Sequence, residues 1–164
     1  MGKLFTVLGL MSGTSGDGVD ASIISSDGID QYKEILNRYY KYDQKIYENL
    51  HNLRGKILKV SNLSENKNEI NNLEKEITLF HAKIVNEISK LIDKKIDFIG
   101  FHGQTIYHNS IEKISKQIGD GNLLSQLTKK IVINNFRQND IKNGGEGAPL
   151  APIFHKLIVK QKKI

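Results

Sequence analysis

The sequence predicts an α/β fold, a mixed sheet with flanking helices, and three observations support that prediction. Two strand-like apolar runs lie on either side of a glycine-rich loop near the start of the chain. A long stretch with apolar residues at every third or fourth position follows and is typical of an amphipathic helix. The next part of the chain reads as a strand, a short helix and another strand, which completes the pattern of a mixed sheet.

The first part of the chain predicts three strands and a helix. We expect strands over Leu4–Leu10 and Val19–Ser25, a turn at Asp27–Asp30 and a weakly alternating third strand over Gln31–Tyr42. The stretch Asp43–Lys59 then predicts a helix, and a polar segment separates it from the next element.

The clearest periodicity in the sequence predicts a helix from Ile70 to Ile92. Its apolar stripe consists of Ile70, Leu73, Ile77, Phe80, Ile84, Ile88 and Leu91. The stripe covers about three heptads and stands alone, which favours a helix packed on a sheet over a coiled coil. His81 lies beside the stripe, where we expect a partly buried histidine with a packing role.

Apolar runs and turn residues predict the remaining elements. We expect a buried strand over Ile96–Phe101, a loop at His102–Thr105, and a short strand that ends at the Gln-Ile-Gly-Asp sequence. Asp120 would cap a helix over Gly121–Thr128. A third apolar run, residues 130–136, leads into a loop rich in Gly and Pro over residues 137–152, and a last helix begins near residues 151–153. We expect one domain, without a linker or an internal repeat.

Composition excludes several classes of protein. The 164 residues suffice for one domain with a sizeable core, and the lack of cysteine excludes disulfides and thiolate metal sites. The formal net charge is +6, but lysines alternate with acidic residues and no aromatic residues interleave with a basic stretch, so nucleic-acid binding is not expected. Without a cleavable leader or a run of about 18 apolar residues, we expect a cytoplasmic protein that does not enter the membrane.

The opening loop, Ser-Gly-Thr-Ser-Gly-Asp-Gly, is longer than a turn requires. Its glycines at positions 13, 16 and 18 match neither a P-loop nor a Rossmann fingerprint. They leave backbone amides unobstructed, and the hydroxyl groups of Ser12, Thr14 and Ser15 add donors, so the loop could cradle an anion with Asp17 near a bound Mg²⁺. A solvated hairpin loop, with Asp20 at the edge of a strand, is the alternative.

Two further polar loops would follow strands, and ligands of open α/β sheets bind at the carboxyl ends of strands. His102 and Gln104 offer an imidazole and an amide, although a lone histidine is more often structural. Arg137 and Asp140 precede a run of glycines, where Asp140 could act as a general base oriented by Arg137. An Arg–Asp pair that only holds a loop together is the alternative.

Taken together, four segments carry a specific resemblance. They are "GLMSGTSGDGVD", "GFHGQTIYH", "QIGDGNLL" and "NFRQNDIKNGGEGAPLAPIFH". In this order and at these spacings they resemble the anhydro-N-acetylmuramic acid kinases of bacteria, from Leu8 to about His155. The resemblance implies the first domain of a sugar kinase of the actin/Hsp70 superfamily, with a ribonuclease H-like core. It also implies ATP and Mg²⁺ as cofactors, and an anhydro amino sugar that is opened by water and phosphorylated during peptidoglycan recycling.

The resemblance implies a role for several residues, and we name no metal-ligating residue among them. Asp140 matches the family's catalytic aspartate, and His102, Gln104 and Arg137 would line the sugar site. The ATP phosphate loop would consist of Gly13, Thr14, Ser15, Gly16, Asp17, Gly18, Val19 and Asp20.

The sequence also departs from the family pattern. Gly16 stands where the family has Leu, which we expect to loosen the loop, while Asn135 replaces Asp and Glu146 replaces Gln. Family members are roughly twice as long, so we expect residues 1–164 to form one N-terminal domain without its C-terminal partner domain. An exposed apolar face, and a homodimer or a complementing C-terminal half as partner, would follow. Three hypotheses stay open: half of a genuine kinase, an inactive remnant that at most binds phosphate or a partner, and another sugar kinase or anion sensor of the superfamily.

Overall fold

The computed structural model describes residues 2–148 and 150–162, with the side chains of residues 2–148 and 154–160. The strands in this part of the chain are β1 (Phe5–Met11), β2 (Gly18–Ser26), β3 (Tyr32–Lys41), β4 (Phe98–Phe101), β5 (Gln104–Asn109), β6 (Ile114–Ile118) and β7 (Ile131–Asn134). The helices are α1 (Gln44–Lys56), α2 (Ser61–Glu65), α3 (Lys67–Ile88), α4 (Gly121–Thr128), α5 (Phe136–Lys142) and α6 (Leu150–Lys162), and a 3₁₀ turn covers Ser89–Leu91.

The predicted mixed sheet is confirmed. Within the described residues, five strands form one sheet in the order β3-β2-β1-β4-β7, and β5 pairs with β6 in a separate hairpin. β1 is antiparallel to β2 and parallel to β4, which in turn is parallel to β7. β2 is also antiparallel to β3, so it alone runs against the other four strands of the sheet. A five-stranded sheet with this order and these directions is ribonuclease H-like, as the family resemblance implies.

The core lies between one face of this sheet and the helices. On β1, Leu8 and Leu10 are buried while the alternate residues are half-buried, because successive side chains of a strand point to opposite faces. The buried positions of α1 and α3 complete the same apolar cluster. Asp43 caps α1 through the Ile46 amide, and Asp120 caps α4 as predicted, through the amides of the second and third helical residues.

Several predicted boundaries are wrong for identifiable reasons. Leu91 is 52% exposed because α-helical geometry ends at Ile88 and the following 3₁₀ turn rotates the apolar stripe outward. The polar segment after α1 contains the short helix α2 instead of a loop. Gln104 and Thr105 belong to strand β5, since the β-branched and aromatic residues that follow them favour a strand paired with β6.

The segment predicted as one long loop after β7 begins with a helix. The glycines and prolines of this segment lie beyond Lys142, so nothing within Phe136–Lys142 opposes helical geometry. The prediction failed because the composition of the whole stretch concealed its first two turns. Arg137 and Asp140 are therefore placed by a helix, three residues apart on adjacent turns.

The second face of the sheet is apolar and partly exposed. Val7, Ile24 and Phe98 lie in one row across it, and the row continues to Ile131, which is 60% exposed. An exposed apolar face is thus present among the described residues. We still predict that a second copy of the chain or a complementing chain covers this face. None of the helices described is both long and apolar enough to cross a membrane.

Candidate active site

The candidate site lies where the three parallel strands end. Leu10 is level with Phe101, and Phe101 with Asn134, so the segments after β1, β4 and β7 leave the sheet at the same edge. The turn after β6 reaches this edge too, because a Cβ atom on Gly119 would strike the Phe101 ring. The expectation that the polar segments line one edge of the sheet is confirmed.

The opening loop is a short turn held by α1. The Gly16 amide donates a hydrogen bond to the Gly13 carbonyl over 3.2 Å, and the Arg54 guanidinium donates to the Thr14 carbonyl over 2.6 Å. Thr14 and Ser15 are exposed, so their hydroxyl groups could meet a ligand. Three residues of the predicted phosphate loop, Gly18, Val19 and Asp20, belong to β2, and their contact with nucleotide stays a prediction.

Gly16 has a backbone conformation that suits glycine, and the expected loosening of the turn stays a prediction. Its φ of +68° lies in the left-handed region, where a residue with a Cβ atom is strained. A Cβ atom there would also lie 2.8 Å from a methyl group of the fully buried Leu50. The turn is pressed closely against α1, and in this conformation no space is left for the leucine of the family pattern.

Asp17 is a charged, exposed carboxylate beside the turn. Ser15 Oγ donates to Asp17 Oδ1 over 2.5 Å, and this hydrogen bond is the main reason why the pKa of Asp17 is lowered. Asp20 is also exposed, on β2 opposite Met11. Among the described residues, no three His, Asp or Glu side chains converge on a point that could hold a metal ion.

Ser12 and Gln104 lie underneath the turn, not in front of it. Ser12 is 1% exposed and Gln104 is fully buried. Gln104 Nε2 donates to the Gly13 carbonyl over 2.9 Å, and Gln104 Oε1 lies 3.4 Å from the Tyr42 hydroxyl, which is 3.0 Å from the Ser12 hydroxyl. Burial raises the pKa of Tyr42 to about 12, so the phenol keeps its proton. Both residues support the turn from inside the molecule, and the ligand contact of Ser12 and the sugar contact of Gln104 stay predictions.

His81 is buried more completely than predicted and is hydrogen-bonded. Its Nδ1 lies 2.8 Å from the Ile77 carbonyl, which can only accept, so Nδ1 carries the proton. Nε2 is then an acceptor for the Ser12 hydroxyl, 3.3 Å away. Burial lowers the pKa of His81 to about 4, which keeps the ring neutral at physiological pH. The predicted packing role is confirmed by the contact of the His81 ring with the Phe101 ring, 4.9 Å between centroids. The prediction of partial burial is wrong, because the side chain is fully buried.

His102 and Arg137 form a direct contact behind the loops. Arg137 Nε donates to His102 Nε2 over 2.7 Å, and His102 Nδ1 donates to the Gly103 carbonyl over 2.7 Å. Burial lowers the pKa of His102, and the Arg137 charge lowers it further. The imidazole is therefore a neutral acceptor that orients the guanidinium.

Arg137 and Asp140 meet at Gly147. Arg137 Nη1 donates to the Gly147 carbonyl over 2.8 Å, while the Gly147 amide donates to Asp140 Oδ2 over 2.8 Å. In the described part of the chain no ion pair joins Arg137 to Asp140 directly, so the proposed direct pairing is wrong. The two side chains fold the glycine-rich segment back over α5, and the half-buried carboxylate remains accessible at the edge of the sheet.

Close packing of glycine against Asp140 yields a test of this arrangement. A Cβ atom on Gly145 would overlap the Asp140 carboxyl group, although the backbone of Gly145 lies outside the left-handed region. Gly145→Ala is therefore expected to displace Asp140, break its bond to Gly147 and lower the free energy of unfolding by about 1 kcal/mol in urea titrations. Gly55→Ala in α1, which meets no atom within 4 Å, should instead stabilise by roughly 0.5–1 kcal/mol. Equal behaviour of both variants would contradict the contact.

Amide side chains surround Asp140 in an open cleft of about 560 Å³. Its polar lining consists of Asn134, Asn135, Asn139, Asp140 and Asn143. Asn135, one of the departures noted above, has a left-handed φ of +63° at the start of α5, and its side chain makes no capping hydrogen bond. Carboxamides both donate and accept, so this cleft suits a ligand rich in hydroxyl and amide groups.

Comparison with known proteins decides the family of this chain. The sequence model of the anhydro-N-acetylmuramic acid kinases matches residues 5–164, nearly the whole chain. The chain belongs to the anhydro-N-acetylmuramic acid kinase family. The resemblance carried by the four sequence segments is thus confirmed.

Individual relatives agree with this family. The anhydro-N-acetylmuramic acid kinase of Pelagibacter ubique is 63% identical over 164 residues, which are 100% of this chain and 44% of the relative. That of Agrobacterium fabrum is 35% identical over 158 residues, 94% of this chain and 42% of the relative. That of Rhizobium etli is 36% identical over 153 residues, 92% and 41% respectively. The chain spans less than half the length of these kinases.

The four family segments lie along one edge of the sheet, but they do not contain all the residues that hold the loops there. Tyr42, Arg54 and Thr78 lie outside the four segments, and each contacts a loop of the candidate site. The sequence could have indicated Thr78 and His81, because they are polar residues on the buried face of an amphipathic helix. No comparable signal marks Arg54, which lies on the amphipathic helix α1.

Proposed function

We propose that this chain forms the phosphate-holding and water-activating lobe of a kinase that acts on 1,6-anhydro-N-acetylmuramic acid. With ATP and water, the product would be N-acetylmuramic acid 6-phosphate, and the role would be the recycling of cell-wall sugars in the cytoplasm. The observation that supports this most is the continuous path of contacts at the sheet edge. It runs from Gly13 to Gln104, along the backbone through Gly103 to His102, on to Arg137, and then through Gly147 to Asp140.

The turn after β1 is suited to the phosphates of ATP. Gly13 has no side chain to block the approach of an anion, and Thr14 presents a hydroxyl donor on the surface. The Ser15 hydroxyl is also exposed, with its hydrogen donated to Asp17. Phosphoryl transfer depends mainly on positioning and on neutralising charge, which such a turn can supply without a covalent role.

A magnesium ion fits the same turn when it arrives with the nucleotide. Mg²⁺ in phosphoryl-transfer sites keeps several waters and takes only one or two carboxylates beside the phosphates. Asp17, exposed and charged, would be that carboxylate, so a cluster of three protein ligands is not needed. The ion would neutralise charge on the transferred phosphoryl group.

Asp140 would act as the general base. Its carboxylate takes a proton from a water molecule while the water oxygen bonds to the anomeric carbon of the sugar. The bond between that carbon and oxygen 6 breaks, and oxygen 6 accepts the γ-phosphoryl group as ADP leaves. The Gly147 amide orients the carboxylate, and His102 and Arg137 lie close enough to line the sugar site.

The proposed groups are open to solvent in residues 1–164. Thr14, Ser15 and Asp17 are exposed, and the cleft at Asp140 is open on one side. Phosphoryl transfer in the presence of bulk water favours hydrolysis over transfer to the sugar. We therefore expect residues 1–164 alone to give no sugar phosphate, and the counterpart of the lobe to be needed for turnover.

A chimera tests the proposed function. Residues 1–164 would be joined to the part of the Pelagibacter ubique kinase that follows its matched region, since the two are 63% identical over all 164 residues. With ATP, Mg²⁺ and the anhydro sugar, we expect the chimera to form the 6-phosphate, detected by mass spectrometry, and residues 1–164 alone to form none. A folded chimera that is inactive beside an active parent kinase would overturn the proposal and favour an inactive remnant.

A further inference from the structure

A polar stripe lies on the buried side of α3. Glu74, Thr78 and His81 are spaced four and three residues apart, so they lie on one side of the helix, one above another. Thr78 and His81 are fully shielded from solvent. Apolar side chains could fill these positions without the cost of burying polar atoms. Packing alone therefore does not explain why these three residues are polar.

The stripe contacts two separate loops of the site. Glu74 Oε1 accepts from the Gly119 amide over 3.1 Å, and Thr78 Oγ1 accepts from the Asp120 amide over 2.9 Å. One turn further along, His81 Nε2 accepts from the Ser12 hydroxyl over 3.3 Å. The first two bonds hold the turn between β6 and α4, and the third holds the start of the turn after β1.

Hydrogen bonds within the helix set the direction of these contacts. Thr78 Oγ1 donates its hydrogen to the Glu74 carbonyl over 2.7 Å, and His81 Nδ1 donates to the Ile77 carbonyl. Each side chain thus uses its donor on its own helix, four residues back, and presents an acceptor to a loop. Because Thr78 and His81 each present only an acceptor to the loops, they can bind only donor groups there.

We propose that α3 is a positioning element, in which Glu74 and Thr78 hold the turn at Gly119–Asp120 while His81 holds the turn at Ser12–Gly13. The helix fixes the distance between the two turns, because residues 74 and 81 are about 10 Å apart along its axis. The anchoring goes beyond the proposed kinase function and holds whether or not the turns bind nucleotide.

Amide hydrogen exchange of residues 1–164 separates anchoring from a general effect on stability. His81→Phe keeps the ring contact with Phe101, 4.9 Å between centroids, but removes the acceptor for Ser12. We expect it to speed exchange at the Gly16 amide roughly five- to tenfold and to leave the Gly119 amide unchanged. Thr78→Val keeps the shape of the side chain and removes the acceptor of the Asp120 amide, so it should speed exchange at Asp120 and Gly119 and leave Gly16 unchanged. If His81→Phe does not fold, Ser12→Ala removes the same hydrogen bond together with the Tyr42 contact, and should speed exchange at Gly16 at least as much.

A matched control shares the helix but not the loops. Ile84→Val shortens a side chain of α3 that is 2% exposed and lies one turn beyond His81. It should change exchange at Gly16 and Gly119 together, or at neither. If His81→Phe and Thr78→Val also change both amides together, in proportion to the loss of thermal stability, the proposal is overturned.

A binding measurement keeps this proposal separate from the proposed function. If His81→Phe loosens the turn and also weakens binding of ATP with Mg²⁺, both proposals gain support. If it loosens the turn but wild-type residues 1–164 bind no ATP, the anchoring by α3 stands and the phosphate-binding role of the turn fails. An unchanged Gly16 amide contradicts the anchoring whatever the ATP result.

Discussion

Asp140→Asn in the chimera is expected to lower kcat by about 10²- to 10⁴-fold, the usual contribution of a general base. Asparagine keeps an oxygen that can accept from the Gly147 amide, so the glycine-rich segment should stay folded over α5. The substitution removes the proton acceptor but not the contact. The free energy of unfolding should therefore change by no more than about 0.5 kcal/mol.

Glu146→Gln is the matched control for Asp140→Asn. It neutralises an exposed carboxylate of the same segment and introduces the residue found in the family pattern. We expect its kcat to stay close to that of the unaltered chimera. A comparable loss in both variants would show that charge in the segment, not a base at position 140, limits the reaction.

Acidification is expected to destabilise the lobe through His81. The pKa of this ring is about 4 in the folded state and 6.5 for the ordinary side chain. Between these values the unfolded chain binds a proton that the folded chain excludes, so stability falls as pH falls below about 6.5. From pH 7 to pH 4.5 the contribution of His81 should be a loss of about 2–3 kcal/mol in the free energy of unfolding.

Urea titrations across this pH range isolate the effect. His102, whose pKa is also lowered by burial, adds a loss of the same sign. Asp17 and Asp27 have lowered pKa values, so the stability that they contribute is lost only as the pH falls below the ordinary pKa of aspartate. The titrations stop above that pH. His81→Phe should remove most of the pH dependence that His81 contributes. An unchanged pH dependence in this variant would mean that His81 is not held neutral in the folded state.

Sequence alone predicted the fold because its signals are local and agree with one another. The period of α3, the cap at Asp120 and the apolar runs of β1 and β4 each select one structure without help from distant residues. Because β1, β4 and β7 are parallel, their carboxyl ends lie at one edge of the sheet. This edge brings together Asp140 and the turn after β1. The resemblance of the sequence motifs to a known family then predicted which reaction the residues at these positions could catalyse.

The wrong predictions have one physical origin: tertiary contacts determine the structure at these positions. Gln104 is a polar residue beside a glycine, typical of a surface loop, but the buried carbonyl of Gly13 gives it a partner inside the molecule. The sequence also cannot show that α1 approaches Gly16 so closely that a Cβ atom there would contact Leu50. Such contacts join residues 34 or more positions apart, and no local pattern encodes them.

Titration of residues 1–164 with ATP and Mg²⁺, followed by ¹⁵N–¹H spectra, tests most directly whether the turn after β1 holds phosphates. The account predicts saturable shifts concentrated on the amides of Gly13 to Gly18, and much smaller shifts for adenosine, which carries no phosphate. Shifts confined to other surfaces, or of equal size for adenosine, would contradict it.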